Sequence, residues 1–117
     1  MVSKNLSQLA LRHHAPVIVI DTYGVITFVN AKFEFTYAWS SSQLLGKPLT
    51  TIIPPVLHDA HNMGFSHFLS TEQSTLLEKP LTLSIIKGDG SICLATHTIF
   101  GEKKEGQWIF LATIEPI

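Results

Sequence analysis

Two pairs of β-branched runs, each pair joined by a short glycine-containing turn, constrain this chain more than any other feature. Near the start, PVIVID (residues 16–21) and VITFV (25–29) are separated by Asp21-Thr22-Tyr23-Gly24. Towards the end, Leu76–Lys87 and Ser91–Phe100 are separated by Gly88-Asp89-Gly90. Such pairs read as antiparallel β-hairpins. The charged stretch Gly101–Gly106 (GEKKEG) reads as a further loop, and Gln107–Ile114 closes the sheet. Strands therefore occupy both ends, with the helical signals between them.

Asn30 is a good N-cap for a short helix over Ala31–Tyr37. Ser40-Ser41-Ser42 offers a second cap before Gln43-Leu44-Leu45, and Gly46 with Pro48 ends that turn. Pro54-Pro55 then opens the longest helix, Val56–Ser70. At 100° per residue Leu57, His61, Gly64, Phe65 and Phe68 share one face, while Asp59, Asn62 and Ser66 lie opposite. A shorter helical pattern, with Leu6, Leu9 and Ala10 as its apolar positions, precedes the first strand. The order β-β-α-α-α-β-β-β predicts an α+β fold: a five-stranded antiparallel sheet with its helices packed on one face. Residues 1–14 form an N-terminal helical segment on this reading, and 15–117 one domain.

Composition narrows the function. With 117 residues, 45% of them hydrophobic, the chain has material for a single core. Eight Lys+Arg against nine Asp+Glu leave no basic footprint for nucleic acid or an anionic membrane. No apolar run approaches the ~20 residues of a membrane helix. One cysteine, Cys93, cannot close an internal disulfide or a structural zinc site. His58, His61 and His67 are spaced so that one helix cannot aim all three at a point, and His13 and His14 have no matching acidic or thiol partners, so no dedicated metal site is expected. No catalytic triad, carboxylate pair or phosphate loop is present either. A cytoplasmic, reduced, non-enzymatic domain is the expectation.

The layout and three motifs resemble the PAS domain family over about Ala15 to Glu115. VIVIDTYGVITFVNAKFE is similar to the family's opening hairpin, with Asp at the strand end, a Gly turn, and Asn capping the next helix. AWSSSQLLGKPL is similar to its Gly-Tyr-Ser-x-x-Glu-Leu-x-Gly-Lys segment, with Trp39 at the aromatic position and Gln43 where Glu is usual. KGDGSICLATHTI resembles its Lys/Arg-x-Asp-Gly hairpin. The resemblance implies a sensory or interaction module of a larger signalling protein, such as a two-component or cyclic-di-GMP system, acting on an output domain. The family's common closing Asp-Ile-Thr is replaced by Glu115-Pro116-Ile117, which suggests an excised fragment.

The resemblance also implies where a small-molecule pocket lies. Registering Gly90 on the family hairpin points Cys93, Ala95, His97 and Ile99 into the interior. Leu83, Ile85, Ile109, Leu111 and Thr113 join them there, under Leu57, His61, Phe65 and Phe68. By the same register Ile92, Leu94, Trp108, Phe110 and Ile114 face outward, an apolar patch of the kind that marks a binding surface. Leu6 and Leu9 could cover that patch, in the same chain or across a homodimer. His97 is then a polar group in an apolar cavity and must find a hydrogen-bond partner.

The cofactor is left open by the sequence. His61 stands in the helical region that supplies the axial histidine of haem-binding relatives; the alternative is a half-buried histidine satisfied by a backbone carbonyl. Light-sensing relatives carry an Asn-Cys-Arg-Phe-Leu-Gln motif where this chain reads Pro48–Pro54 (PLTTIIP), so a photochemical flavin adduct is not expected. Non-covalent flavin stays open, as does a ligand-free dimerisation module. Cys93, without an adjacent Lys or Arg, reads as an inert thiol.

Overall fold

The computed structural model describes residues 14–72 and 77–117. The Leu6 and Leu9 segment lies outside the described residues. Strands β1 (Val17–Ile20) and β2 (Ile26–Val29) form the first hairpin. Helices α1 (Ala31–Tyr37) and α2 (Ser41–Leu44) follow, then 3₁₀ turns at Leu49–Ile52 and Pro55–Leu57, and helix α3 (His58–Thr71). Strands β3 (Leu81–Ile86), β4 (Ile92–Lys104) and β5 (Gln107–Pro116) complete one antiparallel sheet of order β2-β1-β5-β4-β3. The helix starting at Pro55 is thus divided: its first turn is 3₁₀, and regular helix begins at His58.

Polar side chains fix the corners. Asp21 accepts from the backbone N–H of Tyr23 and Val25, folding the chain into the tight turn where Gly24 takes φ +79°. Asn30 caps α1 by accepting from Phe33 N–H at 2.8 Å, and its same oxygen accepts from Val17 N–H while its amide donates to Ala15 O. One side chain thereby ties the helix start to the first strand. Gln43 Oε1 accepts from Ser40 N–H at 2.9 Å, so glutamine performs the reciprocal cap of α2.

The β3–β4 hairpin is bolted to the end of α1. Gly88 N–H donates to Tyr37 O, and Trp39 Nε1 donates to Ile86 O at 2.9 Å. A Cβ at Gly88 would overlap the Ala38 carbonyl oxygen, so only glycine fits that approach. Tyr37, fully buried, donates its hydroxyl to Ile114 O at 2.6 Å.

The sheet carries two apolar clusters, one per face. Under the helices lie Ile18, Ile20, Phe33, Tyr37, Leu44, Ile52, Phe68, Ile85, Ala95, Phe110 and Ile114. On the opposite face Val17 and Leu111 are fully buried, with Val19, Phe28, Phe100 and Ile109 packed against them.

The charged stretch 101–106 is not a loop. Strand β4 runs on through Gly101–Lys104, and the chain reverses at Glu105-Gly106 alone, with Lys104 opposite Gln107. Both turn residues have positive φ, +52° and +79°, the requirement of a two-residue hairpin whose twist matches its strands. That turn sets the parity of β5. Residues opposite each other share a face, and the pairs are His97–Ile114, Ile99–Ala112, Gly101–Phe110 and Lys103–Trp108. Trp108, Phe110 and Ile114, expected to face outward, therefore lie on the helix-covered face. Ile109 and Leu111, expected inside, lie with Thr113 on the other face. A turn assumed one residue out of phase flips every side chain of the strand after it.

Candidate functional site

The interior lies between α3 and strands β3, β4 and β5. In α3, His61, Phe65 and Phe68 turn inward, and Phe68 is buried; Leu57, at the end of the preceding 3₁₀ turn, is half-buried. Asp59, Asn62, Met63 and Ser66 are exposed on the far side. The ladder places Leu83 opposite Ala95 and Ile85 opposite Cys93, and Ile85 and Ala95 belong to the helix-side core. Cys93, His97 and Ile99 share that face of β4 and are each half-buried. Of the twelve pocket candidates, Ile109, Leu111 and Thr113 lie on the opposite face of the sheet, while His61, Phe65, Phe68, Leu83, Ile85, Cys93, Ala95 and His97 are on the helix side.

Aromatic rings close one end of this space. Phe68 meets Trp108 and Phe110 edge-on at 4.9 and 5.3 Å, and Phe65 meets Phe110 edge-on at 5.5 Å. His61 stacks on Phe65 at 6.0 Å. Gly101, opposite Phe110, is a place where a Cβ would press on both Trp108 and Phe110. The stack is tied to solvent by Glu72, whose carboxylate accepts from Trp108 Nε1 and pairs with Lys103. The bond from Lys103, and then that from Trp108, hold the Glu72 carboxyl below its ordinary range.

Farther along the same face the packing thins. Ala112 stands on the central strand β5, next to Ile18 of β1 and Ile99 of β4. Phe110 and Ile114 on either side of it are buried, whereas Ala112 and Ile99 are half-buried.

The two interior histidines are set up as neutral groups. Burial lowers the His97 pKa, against the opposing effect of its bond to Ala95 O. His97 Nδ1 donates to that carbonyl at 3.1 Å, so in the neutral ring Nε2 is left as an acceptor. Burial first, and then the neighbouring His58, lower the His61 pKa. His58 itself donates from Nε2 to the carbonyls of Ile53 and Thr50, closing the 3₁₀ turn before the helix. Tyr37 is raised by burial, then by Cys93 and Glu115, and stays protonated to hold Ile114 O. Sequence reasoning misses Ala112 and Tyr37 as part of this interior. The parity of the Glu105-Gly106 turn is the signal that finds Ala112.

An antiparallel sheet of five strands, covered by helices on one face, defines the class: a small α+β module. Residues 13–111 match the PAS fold family, and the chain belongs to that family. Among curated proteins it is 29% identical over 102 residues to an uncharacterized protein of Azorhizobium caulinodans, covering 86% of this chain and 14% of that one. The chain therefore corresponds to a small part of that relative's length. Among solved structures it is similar to the PAS domain of an HTR-like protein from Haloarcula marismortui, at TM-score 0.71 and 23% identity over 96% of this chain and 94% of that one. It is similar also to the PAS domain of the fruit-fly ELK potassium channel, at TM-score 0.71 and 20% identity over 98% of each chain. At these identities the likeness is one of fold. No helix among the described residues is long and apolar enough to cross a membrane.

Proposed function

We infer that this chain is a regulatory, non-catalytic PAS module that takes up a small, uncharged, mostly apolar molecule between α3 and the sheet. The observation that carries this is the half-buried pair Ile99–Ala112 in mid-sheet on the helix-covered face, where the smallest side chain of β5's inner row leaves room for a guest. Around it stand Phe65, His61, Cys93 and His97, all half-buried, and no carboxylate or ammonium among the candidates. A flat ring with one hydrogen-bond donor suits that lining, the donor meeting the free Nε2 of His97.

Haem does not suit it. The His61 ring stacks on Phe65, which in turn packs on Phe110, so a ligated macrocycle would have to displace the aromatic cluster.

Output follows from assembly. A ligand shifts a pair of protomers only by its differential affinity for two arrangements. Ile92 and Leu94, 59% and 54% exposed on the outer face, offer contacts for a second copy or for the segment bearing Leu6 and Leu9. The setting is a cytoplasmic signalling protein with an output domain, and residues 1–14 act as the cap of the 15–117 module.

Indole, a neutral ring with one N–H donor, is the probe. It should raise the melting temperature of the wild type and slow thiol labelling of Cys93. Ala112→Leu, which fills the space, should raise the melting temperature on its own and abolish both indole effects. Should wild type and variant respond alike, the interior is not the binding site.

A further inference from the structure

The two edges of the sheet are finished differently. At the β2 edge, Ile26 N–H donates to Lys47 O, Gly46 N–H donates to Ile26 O, and Val25 bridges Pro48. The chain's own loop covers that edge. Strand β3, at the other edge, pairs with β4 alone among the described residues.

Its hydrogen-bonding pattern can be read from one bond. Lys87 N–H donates to Ser91 O at 2.8 Å and Lys87 O accepts from Gly90 N–H at 2.9 Å, so both backbone groups of Lys87 point to the β4 side. Alternation along an antiparallel ladder then turns the backbone groups of Leu81, Leu83 and Ile85 towards β4, and those of Thr82, Ser84 and Ile86 away from the sheet. The Ile86 carbonyl is occupied by Trp39 Nε1. Thr82 and Ser84 present both N–H and C=O outward, Ile86 presents its N–H, and Pro80 has only a carbonyl to offer.

Edge strands are ordinarily protected by charges, a proline or a bulge. From Leu81 to Ile86 the sequence is LTLSII, with no charge and no proline, and its pairing with β4 is regular throughout. Leu83, at the middle, is 38% exposed.

We propose that β3 is a self-pairing edge: two copies of this chain join antiparallel through Leu81–Ile86, about a two-fold axis at Leu83. The available groups fit one another in this register. Thr82 of one copy faces Ser84 of the second, and each pair exchanges two N–H···O=C bonds. The lone N–H of Ile86 faces the lone carbonyl of Pro80, so the group each lacks is the one its counterpart cannot use. The two Leu83 side chains meet on the axis as a non-hydrogen-bonded pair, the closest type of cross-strand contact. Shifting the axis to Ser84 would set Thr82 N–H against the occupied Ile86 carbonyl; shifting it to Thr82 would set Ser84 carbonyl against a proline nitrogen. Beyond Pro80 and Ile86 the seam stops, because Lys79 and Lys87 would face each other.

A self-pairing edge is a second surface, distinct from packing of the outer sheet face and sharing only Leu83 with the interior. Sedimentation of the full chain tests it. Ser84→Pro removes only an outward N–H, a change edge strands tolerate, and should raise the dimer dissociation constant about tenfold or more. Circular dichroism should stay as in wild type. In a Cys93→Ala background Leu83→Cys should oxidise to a disulfide-linked dimer, while Thr82→Cys, off the axis, should oxidise far more slowly. If wild type sediments as a monomer at high concentration, the proposal is overturned. It is equally overturned if Ser84→Pro dimerises normally while Leu94→Glu does not, since the dimer then packs through the sheet face. Indole binding to the Ser84→Pro variant separates the two ideas: its loss there would count against the interior site, not against the edge.

Discussion

Two neighbouring hairpins share strand β4 and differ in how firmly their turns fix the facing of the next strand. The β3–β4 turn, Lys87-Gly88-Asp89-Gly90, announces itself through glycine and aspartate, and Gly88 is pinned against Ala38. The β4–β5 turn is two residues, Glu105-Gly106, inside a run of charges. From the first, the inward set Leu83, Ile85, Cys93 and Ala95 can be read directly. Across the second, every side chain of β5 depends on counting the turn correctly. A hairpin transmits facing by parity, so a turn of ambiguous length is where a pattern is lost.

The largest expected effect separates the two faces of β5. Phe110→Ala removes a ring packed on Phe65, Phe68 and Trp108 and should cost about 3–5 kcal/mol in urea unfolding. Ile109→Ala, on the partly covered face, should cost about 1–2 kcal/mol. The reverse order would mean that the Glu105-Gly106 turn does not place Phe110 under the helices.

The glycines of the other hairpin give the next contrast. Gly88→Ala drives a methyl into the Ala38 carbonyl and should cost about 2 kcal/mol or more. Gly90→Ala meets no atom within 4 Å and suffers only from its positive φ, about 1 kcal/mol. Equal costs in thermal unfolding would show that the hairpin is not held against α1.

The smallest effect is one of pH. His61 and His97 have folded pKa values lowered from 6.5, so the unfolded chain binds protons more readily. Their contribution is fully present above the unfolded value and is lost as pH falls through the folded ones. Melting temperature should decline on acidification below about pH 6.5, and the decline should be shallower in His97→Asn. An unchanged slope in that variant would place His97 in water rather than in the interior.

Much of the fold was legible because its signals are local. Asp21 and Gly24 make their turn within five residues, Asn30 caps the helix that begins beside it, and the inward stripe of α3 repeats at helical spacing. Part of the candidate site was legible through the family resemblance of the β3–β4 hairpin, whose register set Cys93, Ala95 and His97 on one side of a strand. Ala112 was not, since an alanine in an apolar strand carries no signal until its facing is known.

What the sequence by itself determined is the order of elements, the caps and turns that bound them, and the helix face that turns inward. These arise from backbone preferences and side-chain periods that act over a few residues. Only the tertiary structure decided which face of β5 looks at the helices, why Gly88 must be glycine, and that one sheet edge is covered by a loop while the other meets no further strand among the described residues. Each of these depends on contacts between segments far apart in the chain, such as Ala38 with Gly88, Phe68 with Trp108, and Ile26 with Lys47. Local preference has no term for a neighbour that only folding brings near.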